Sequence, residues 1–302
     1  MSDFKKLLVP LDGSRLAEAV LPIVEVVAER FDATVSFLHV LEERAPETVH
    51  GEPHLADTRE ARAYLARVAE RYRRRGLKVE EHVHPNKERD VVGSIIGHGE
   101  EFGADMVILS THGWGGMRDL LAGSIAQQVL RRGDLPVLLV KPTATGEAPP
   151  FKGRRLLVPL DGSATHDGVV LPVAEQVALG LGAEVRLLVA VPTRGTVPGD
   201  QAAIAVLTPN AMKEALEMET EEARRYLGGI VAELRARRIK AAAQVRRGDP
   251  ATRVAEAAED THPDLIVMST HGRAALDALW AASVGSRVLV RIQQPLLLVR
   301  VP

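Results

Sequence analysis

The sequence predicts an α/β chain made of two tandem domains, each a doubly wound parallel sheet. Three observations carry that prediction. The 302 residues divide into about two lengths of ordinary domain size. Leu7-Leu8-Val9-Pro10-Leu11-Asp12-Gly13-Ser14 recurs letter for letter as Leu156-Leu157-Val158-Pro159-Leu160-Asp161-Gly162-Ser163. Within each half, short apolar β-branched runs alternate with segments of helical period, an order that winds into a parallel sheet with right-handed crossovers.

The repetition is collinear. Ser110-Thr111-His112-Gly113 returns as Ser269-Thr270-His271-Gly272, Leu21-Pro22 as Leu171-Pro172, and Pro136-Val137-Leu138-Leu139-Val140 as Pro295-Leu296-Leu297-Leu298-Val299. The offset grows from about 150 to about 160, so the second copy carries an insertion midway. The stretch Thr143-Ala144-Thr145-Gly146-Glu147-Ala148-Pro149-Pro150 has no periodicity and is rich in small residues and proline, as in a linker. The expected division is 1–143 for the first domain, 144–152 for the linker and 153–302 for the second domain.

Taken in order, residues 6–10 read as a buried strand, and Ser14 is placed to cap a helix over 17–30. Residues 34–41 form a second strand. Residues 57–75 form an amphipathic helix with Ala61, Leu65, Val68 and Tyr72 on one stripe, closed by Gly76. A third strand covers 77–83, a glycine-rich helix 91–102, and a fourth strand 105–110; a helix over 124–131 and a strand over 136–140 complete the half.

Composition excludes several classes. Hydrophobic content of 46% and charged content of 26% are those of an ordered globular chain. A net charge of −2 and only 3% aromatic residues speak against a nucleic-acid partner. With no cysteine there is no disulfide, thiolate metal site or cysteine nucleophile. The run Leu7-Leu8-Val9 stops at Pro10 and Asp12, too short for a signal peptide or a membrane span. The expectation is a soluble cytoplasmic protein with no membrane partner.

In a doubly wound sheet, ligands sit beyond the C-terminal strand ends, at the switch in strand order. Two such ends carry unusual residues. The first releases Asp12-Gly13-Ser14. The fourth releases Ser110-Thr111-His112-Gly113, then nine residues, then Gly123-Ser124 at a helix start. Free N–H groups at a helix start favour an anion, and glycine lets a phosphate approach the backbone. The same residues also serve as a turn and a plain helix cap. Neither half contains a GxxxxGK[ST] loop or a strand-following GxGxxG.

These residues resemble the universal stress protein family over both halves. Its ATP-binding members carry Gly-x2-Gly-x9-Gly-Ser/Thr after the fourth strand; here Ser110 replaces the leading glycine, while Gly113, Gly123 and Ser124 match. The Pro-x-Asp-x-Ser opening and Leu38-His39-Val40 agree. The resemblance implies a Rossmann-like, adenine nucleotide alpha hydrolase-like fold and a role for each matching position. Asp12 would bind the ribose, and backbone at Pro10 and Val40 the adenine. Ser110, Gly113, Gly123 and Ser124 would surround the phosphates, with the N–H groups of Ile125 and Ala126. His112 would lie beside the phosphate chain or bond to backbone. The cofactor would be ATP, or ADP or AMP, with Mg²⁺ or Mn²⁺ held by phosphate oxygens and by no protein side chain. The last strands of the halves would pair as an intramolecular pseudo-dimer, and two chains would form a homodimer.

The copies differ. The second half keeps Asp161, Ala190, His271, Gly272 and Ser283, the weaker set, but Ala282 stands where Gly123 does. A Cβ at a phosphate-facing turn costs on the order of 1–2 kcal/mol, about tenfold in affinity. The first half is therefore the expected nucleotide site. In the reverse sense, Gly248-Asp249-Pro250 is intact in the second half, whereas the first has Arg89-Asp90-Val91, so that loop should differ. The arginines at 71, 73, 74 and 75, and at 235, 237 and 238, read as solvated helix ends. His50, His54, His82 and His84 lack a carboxylate or cysteine at ligand spacing and are assigned no metal. Residues 195–207 read as an inserted loop near the site mouth. Three functions follow: a nucleotide-binding stress or signalling module, a slow ATPase or phosphotransferase, and a nucleotide-independent interaction protein. No catalytic residue is assigned, because the motif lacks a positioned carboxylate base, a phosphate-loop lysine and an arginine finger.

Overall fold

The computed structural model describes residues 4–43, 48–49, 52–53, 55, 57–111, 125–143, 145–193, 195–196, 209–270 and 283–301. The first half runs β1 (Lys6–Pro10), α1 (Arg15–Glu18), α2 (Leu21–Phe31), β2 (Thr34–Glu42), a hairpin of β3 (Thr48–Val49) and β4 (Glu52–Pro53), α3 (Thr58–Arg73), β5 (Lys78–Glu88), α4 (Val91–Glu101), β6 (Met106–Ser110), α5 (Ile125–Arg132) and β7 (Val137–Val140). The second half runs β8 (Arg155–Leu160), α6 (Ala164–Leu181), β9 (Glu184–Val191), α7 (Pro209–Ala236), β10 (Ala241–Arg247), α8 (Pro250–Thr261), β11 (Leu265–Thr270), α9 (Val284–Arg291) and β12 (Leu296–Arg300).

Ten strands join one sheet in the order β10-β9-β8-β11-β12-β7-β6-β1-β2-β5. Neighbours are parallel within each half. The seam between halves is antiparallel: Leu139 of β7 lies opposite Leu296 of β12, Leu138 opposite Leu297, and Val137 opposite Leu298. The inner strands read as largely apolar runs because both faces are covered, whereas the edge strands β5 and β10 carry many polar residues. Leu7 and Val9 pack with α2, α3, α6 and α7 on one face, while Leu8 packs with α4, α5, α8 and α9 on the other. Both cores continue across the seam.

Polar contacts tie the seam symmetrically. Lys141 and Arg300 directly follow or end the last strands at equivalent places. Lys141 Nζ donates to the carbonyls of Val290 and Ile292 at 3.3 Å each, at the C-terminal end of α9. Arg300 donates to the carbonyl of Gly133 and to Asp134, beyond the end of α5. Both cations meet the negative end of a helix dipole. On one face α2 meets α6 so closely that a Cβ on Gly180 would lie 2.3 Å from the Phe31 ring.

Several local expectations are met in detail. Ser14 Oγ accepts from Ala17 N at 3.1 Å, and the stripe Ala61, Leu65, Val68, Tyr72 is buried. The basic end of α3 is ion-paired: Arg71 with Glu18, Arg73 with Glu81, Arg74 with Glu70 and Arg75 with Glu25. Other expectations need correction. The helix over 17–30 is two helices, Arg15–Glu18 and Leu21–Phe31, with Pro22 in the first turn of the second, where its missing N–H leaves no helical bond unmade. The third strand does not stop at 83 but continues to Glu88, where Glu43 N donates to the Glu88 carbonyl at 2.9 Å. In the second half Gly248, at φ 139°, turns the chain instead, and its N–H meets Val191 O at 2.9 Å. Part of the insertion lengthens α7 to 28 residues against 16 in α3; residues 197–208 lie outside the described set.

One pair makes the fold pH-sensitive. Asp90 caps α4 by accepting from Gly93 N at 2.9 Å, and it binds Arg132 of α5 at 2.7 and 2.5 Å. The Arg132 guanidinium first, and the Gly93 N–H second, hold the Asp90 carboxyl down at about 2. A depressed carboxyl adds stability above its unfolded pKa and loses it as pH falls through the folded value. Both side chains are about half exposed, so the contribution is below about 1 kcal/mol. Asp90→Asn keeps the cap and removes the charge. In urea unfolding, the gap between wild type and variant is expected to hold from neutral pH to about pH 4 and to close below it; a gap independent of pH would contradict the pairing.

Candidate functional site

In each half the strand order reverses at the first strand: β1 lies between β2 and β6, and β8 between β9 and β11. The crevice at a doubly wound switch point therefore opens at the ends of β1 and β6, and of β8 and β11.

In the first half, Pro10, Val40 and Ser110 stand at or near the ends of three adjacent strands. Leu11 N donates to Leu38 O at 2.8 Å, and the chain then turns through Asp12-Gly13-Ser14. Asp12 Oδ1 accepts from Ser14 N at 2.9 Å. Gly13 has φ 92°, and a Cβ there would lie 2.6 Å from Leu55 Cδ1, so this turn requires glycine. His39, buried on β2, joins the turn to the loop above it, its ring nitrogens 2.7 Å from Leu11 O and 3.2 Å from Leu55 O. From β6 the chain delivers Ser110 and Thr111, both buried. Thr111 N donates to Val140 O at 2.8 Å, but Ser110 Oγ is buried with no hydrogen-bond partner among the described residues. A buried hydroxyl without a partner costs free energy unless something else supplies one. Ile125 and Ala126 open α5, Ile125 exposed and Ala126 buried. His112, Gly113, Gly123 and Ser124 lie outside the described residues.

In the second half a cavity of about 310 Å³ opens at the strand ends, lined in part by Asp161, Ala190 and Ser283, together with Ser269, Thr270 and His166. Ser283 caps α9: its Oγ accepts from Ser286 N at 3.2 Å. His271, Gly272 and Ala282 lie outside the described residues.

The two turns differ in what holds the aspartate. Asp161 Oδ1 accepts from Ser163 N at 2.9 Å, as Asp12 does from Ser14, but His166 Nδ1 also lies 2.5 Å from Asp161 Oδ2. Behind them the buried Asp167 accepts from Asp161 N at 3.3 Å, Gly162 N at 3.0 Å and Tyr226 Oη at 2.7 Å. Burial raises the Asp167 carboxyl above its ordinary range, against the lowering by Tyr226. Burial and then Asp167 raise the Tyr226 phenol. In the first half Ala17 and Glu18 stand at the places of His166 and Asp167. Sequence reading passed over His166, Asp167 and Tyr226. The available signal was a histidine three positions after the Ser163 cap; Tyr226 comes from the helix enlarged by the insertion.

Comparison with known proteins adds a consistent picture. The universal stress protein family profile matches residues 3–141 and again 153–300. Universal stress protein YxiE of Bacillus subtilis is 26% identical over 150 residues, covering 46% of this chain and 99% of its own length. Universal stress protein MJ0577 of Methanocaldococcus jannaschii is 27% identical over 161 residues, covering 46% of this chain and 95% of its own length. A crystal structure of a universal stress protein from Archaeoglobus fulgidus aligns over 98% of this chain and 96% of its own, with a TM-score of 0.69 at 18% identity, a likeness of fold. Among the described residues, no helix is long and apolar enough to cross a membrane.

Proposed function

The chain belongs to the universal stress protein family, and from that premise we propose that it is an ATP-binding stress-response or signalling protein whose nucleotide is held chiefly by the first half. The observation that supports the nucleotide-binding part of this reading is the second-half cavity. Asp161, Ala190 and Ser283, picked out as residues of a nucleotide site, line one cavity of about 310 Å³, near the lower end of the volume range for small-ligand sites. Their first-half counterparts are Asp12, Val40 and Ser124.

Two differences favour the first half as the tighter site. Gly123 stands where the second half has Ala282, so backbone N–H groups there would be open to a phosphate. Ser110 Oγ is buried without a hydrogen-bond partner among the described residues, and a nucleotide oxygen would provide one. Pro10 and Val40 would contact adenine, Asp12 the ribose, and Gly113, Gly123, Ser124 and the N–H groups of Ile125 and Ala126 the phosphates, beside His112. Mg²⁺ or Mn²⁺ would arrive with the phosphates and neutralise their charge. In the second half Asp161, Ala190, His271, Gly272 and Ser283 form the weaker site.

Nucleotide occupancy would favour one arrangement of the chain and so change its contacts with partners. In this reading the β7–β12 seam is an intramolecular counterpart of a dimer interface, and a second copy of the chain is a further partner. Retention rather than turnover is the expected fate of ATP. Mass spectrometry of nucleotide released from purified, heat-denatured protein tests this: intact ATP near one equivalent per chain is the expected result. No adenine nucleotide, with no calorimetric binding of added ATP, would leave the interaction-protein reading.

A further inference from the structure

We propose that the first half holds a transition-metal ion of the zinc class between β5 and α4, on His82, His84 and His98. The site lies outside the nucleotide residues and does not rest on that reading. Sequence alone assigned no metal to protein side chains, because His82 and His84 lacked a carboxylate or cysteine at ligand spacing. Folding supplies one. The helix α4 packs on β5 and brings His98 to the two strand histidines, so that one ring nitrogen from each lies within 4.8 Å of the others. Among the described residues this is the one place where three such groups converge.

The hydrogen bonds around the cluster set its chemistry. His84 Nε2 lies 2.9 Å from Glu88 Oε1, and His98 Nδ1 lies 2.9 Å from Glu101 Oε2. Ionised carboxylates only accept, so each ring directs its N–H outward, to its glutamate. The inward atoms, His84 Nδ1 and His98 Nε2, then face each other as lone pairs only 2.9 Å apart. A positive species must sit with them. A shared proton would satisfy these two nitrogens and leave the third: His82 Nε2 is buried with no hydrogen-bond partner among the described residues. A metal ion satisfies all three. Tetrahedral zinc with bonds of about 2.0–2.1 Å needs nitrogens roughly 3.3 Å apart, within side-chain adjustment of the spacing here. The outer carboxylates fix tautomer and ring orientation, as second partners of metal-bound histidines do. Phe102 stacks on His98 at 5.1 Å and meets His82 edge-on at 5.3 Å, closing the apolar side.

The second half is an internal comparison. His82 and His84 pair in register with Leu38 and Val40; the equivalent positions Leu188 and Ala190 pair with Gln244 and Arg246. Counting from the helix caps Asp90 and Asp249, His98 corresponds to Ala257 and Glu101 to Asp260. There the Arg246 guanidinium provides the positive charge, 2.6 Å from Asp260 and 3.1 Å from Gln244. The same place in the fold is thus built around a cation in both halves, and in the first half that cation is not a side chain of fixed charge.

The test uses the full chain, freed of metal by chelation and titrated with zinc chloride by calorimetry, with Co²⁺ in place of zinc as a visible-spectrum reporter. Wild type is expected to bind one zinc ion per chain at this site and to give tetrahedral Co²⁺ bands. His82→Gln and His98→Ala introduce the residues that the second half folds with, and each is expected to weaken zinc binding at least tenfold. Glu101→Gln, which alters a positioning residue, is expected to weaken it about tenfold or more. Circular dichroism of each variant reports folding separately. Failure of wild type to take up zinc at micromolar free metal would assign the cluster to a shared proton and overturn the proposal. Undiminished binding by folded His82→Gln and His98→Ala would overturn it equally.

Discussion

Replacing Gly123 with valine is expected to lower the affinity of the full chain for ATP by about tenfold at least. The added side chain puts a branched Cβ at the turn where a phosphate would meet backbone N–H groups. If phosphate binding demands a backbone conformation reserved for glycine, a non-glycine residue pays roughly 1–2 kcal/mol to adopt it, and each 1.4 kcal/mol is tenfold in affinity. Blocked approach to the N–H groups adds to that loss. The reverse change, Ala282→Gly, is expected to gain affinity in the second half by about tenfold, since it removes the same obstacle. Isothermal calorimetry on both variants reads the two effects. Unchanged affinity in Gly123→Val would show that the phosphates lie elsewhere.

Leu138→Asp is expected to destabilise the whole chain by roughly 4 kcal/mol or more, measured by urea unfolding. Leu138 is 1% exposed in β7, faces Leu297 across the antiparallel seam, and belongs to a core that runs through both halves. A carboxylate there would be desolvated within the apolar cluster that now holds Leu138. Since a typical domain has only about 5–15 kcal/mol in total, this is a large fraction. Leu138→Ala is expected to cost about 2–5 kcal/mol through the cavity alone. Leu179→Asp, at a side chain 56% exposed, is expected to change stability by about 0.5 kcal/mol or less. A loss below about 1 kcal/mol for Leu138→Asp would mean that the seam does not bind the halves together.

What could be read without coordinates was local and periodic. The strands around Leu7–Val9 and Val107–Leu109 announce themselves as short apolar runs, and Ser14, Asp57 and Gly76 mark helix ends by known chemistry. The repeat delivered the tandem plan. Less legible was anything set by packing between distant segments. The break before Leu21 is not marked by Pro22 itself, since its counterpart Pro172 is carried inside α6. The continuation of β5 to Glu88 depends on Glu43 pairing with it. His98 is a helix residue among glycines, and only the docking of α4 on β5 turns it toward His84. The contact of His166 with Asp161, likewise, joins a helix start to the turn before it. Sequence patterns report faces and periods; they do not report which side chains from different elements meet.

The central claim is that one nucleotide site, in the first half, dominates. Calorimetric titration of ATP with Mg²⁺ into the wild type, Asp12→Ala and Asp161→Ala chains tests it most directly. One dominant site per chain is predicted, weakened about tenfold or more by Asp12→Ala and retained in Asp161→Ala. Loss of that site in Asp161→Ala with Asp12→Ala unaffected, or no binding by the wild type, would contradict it.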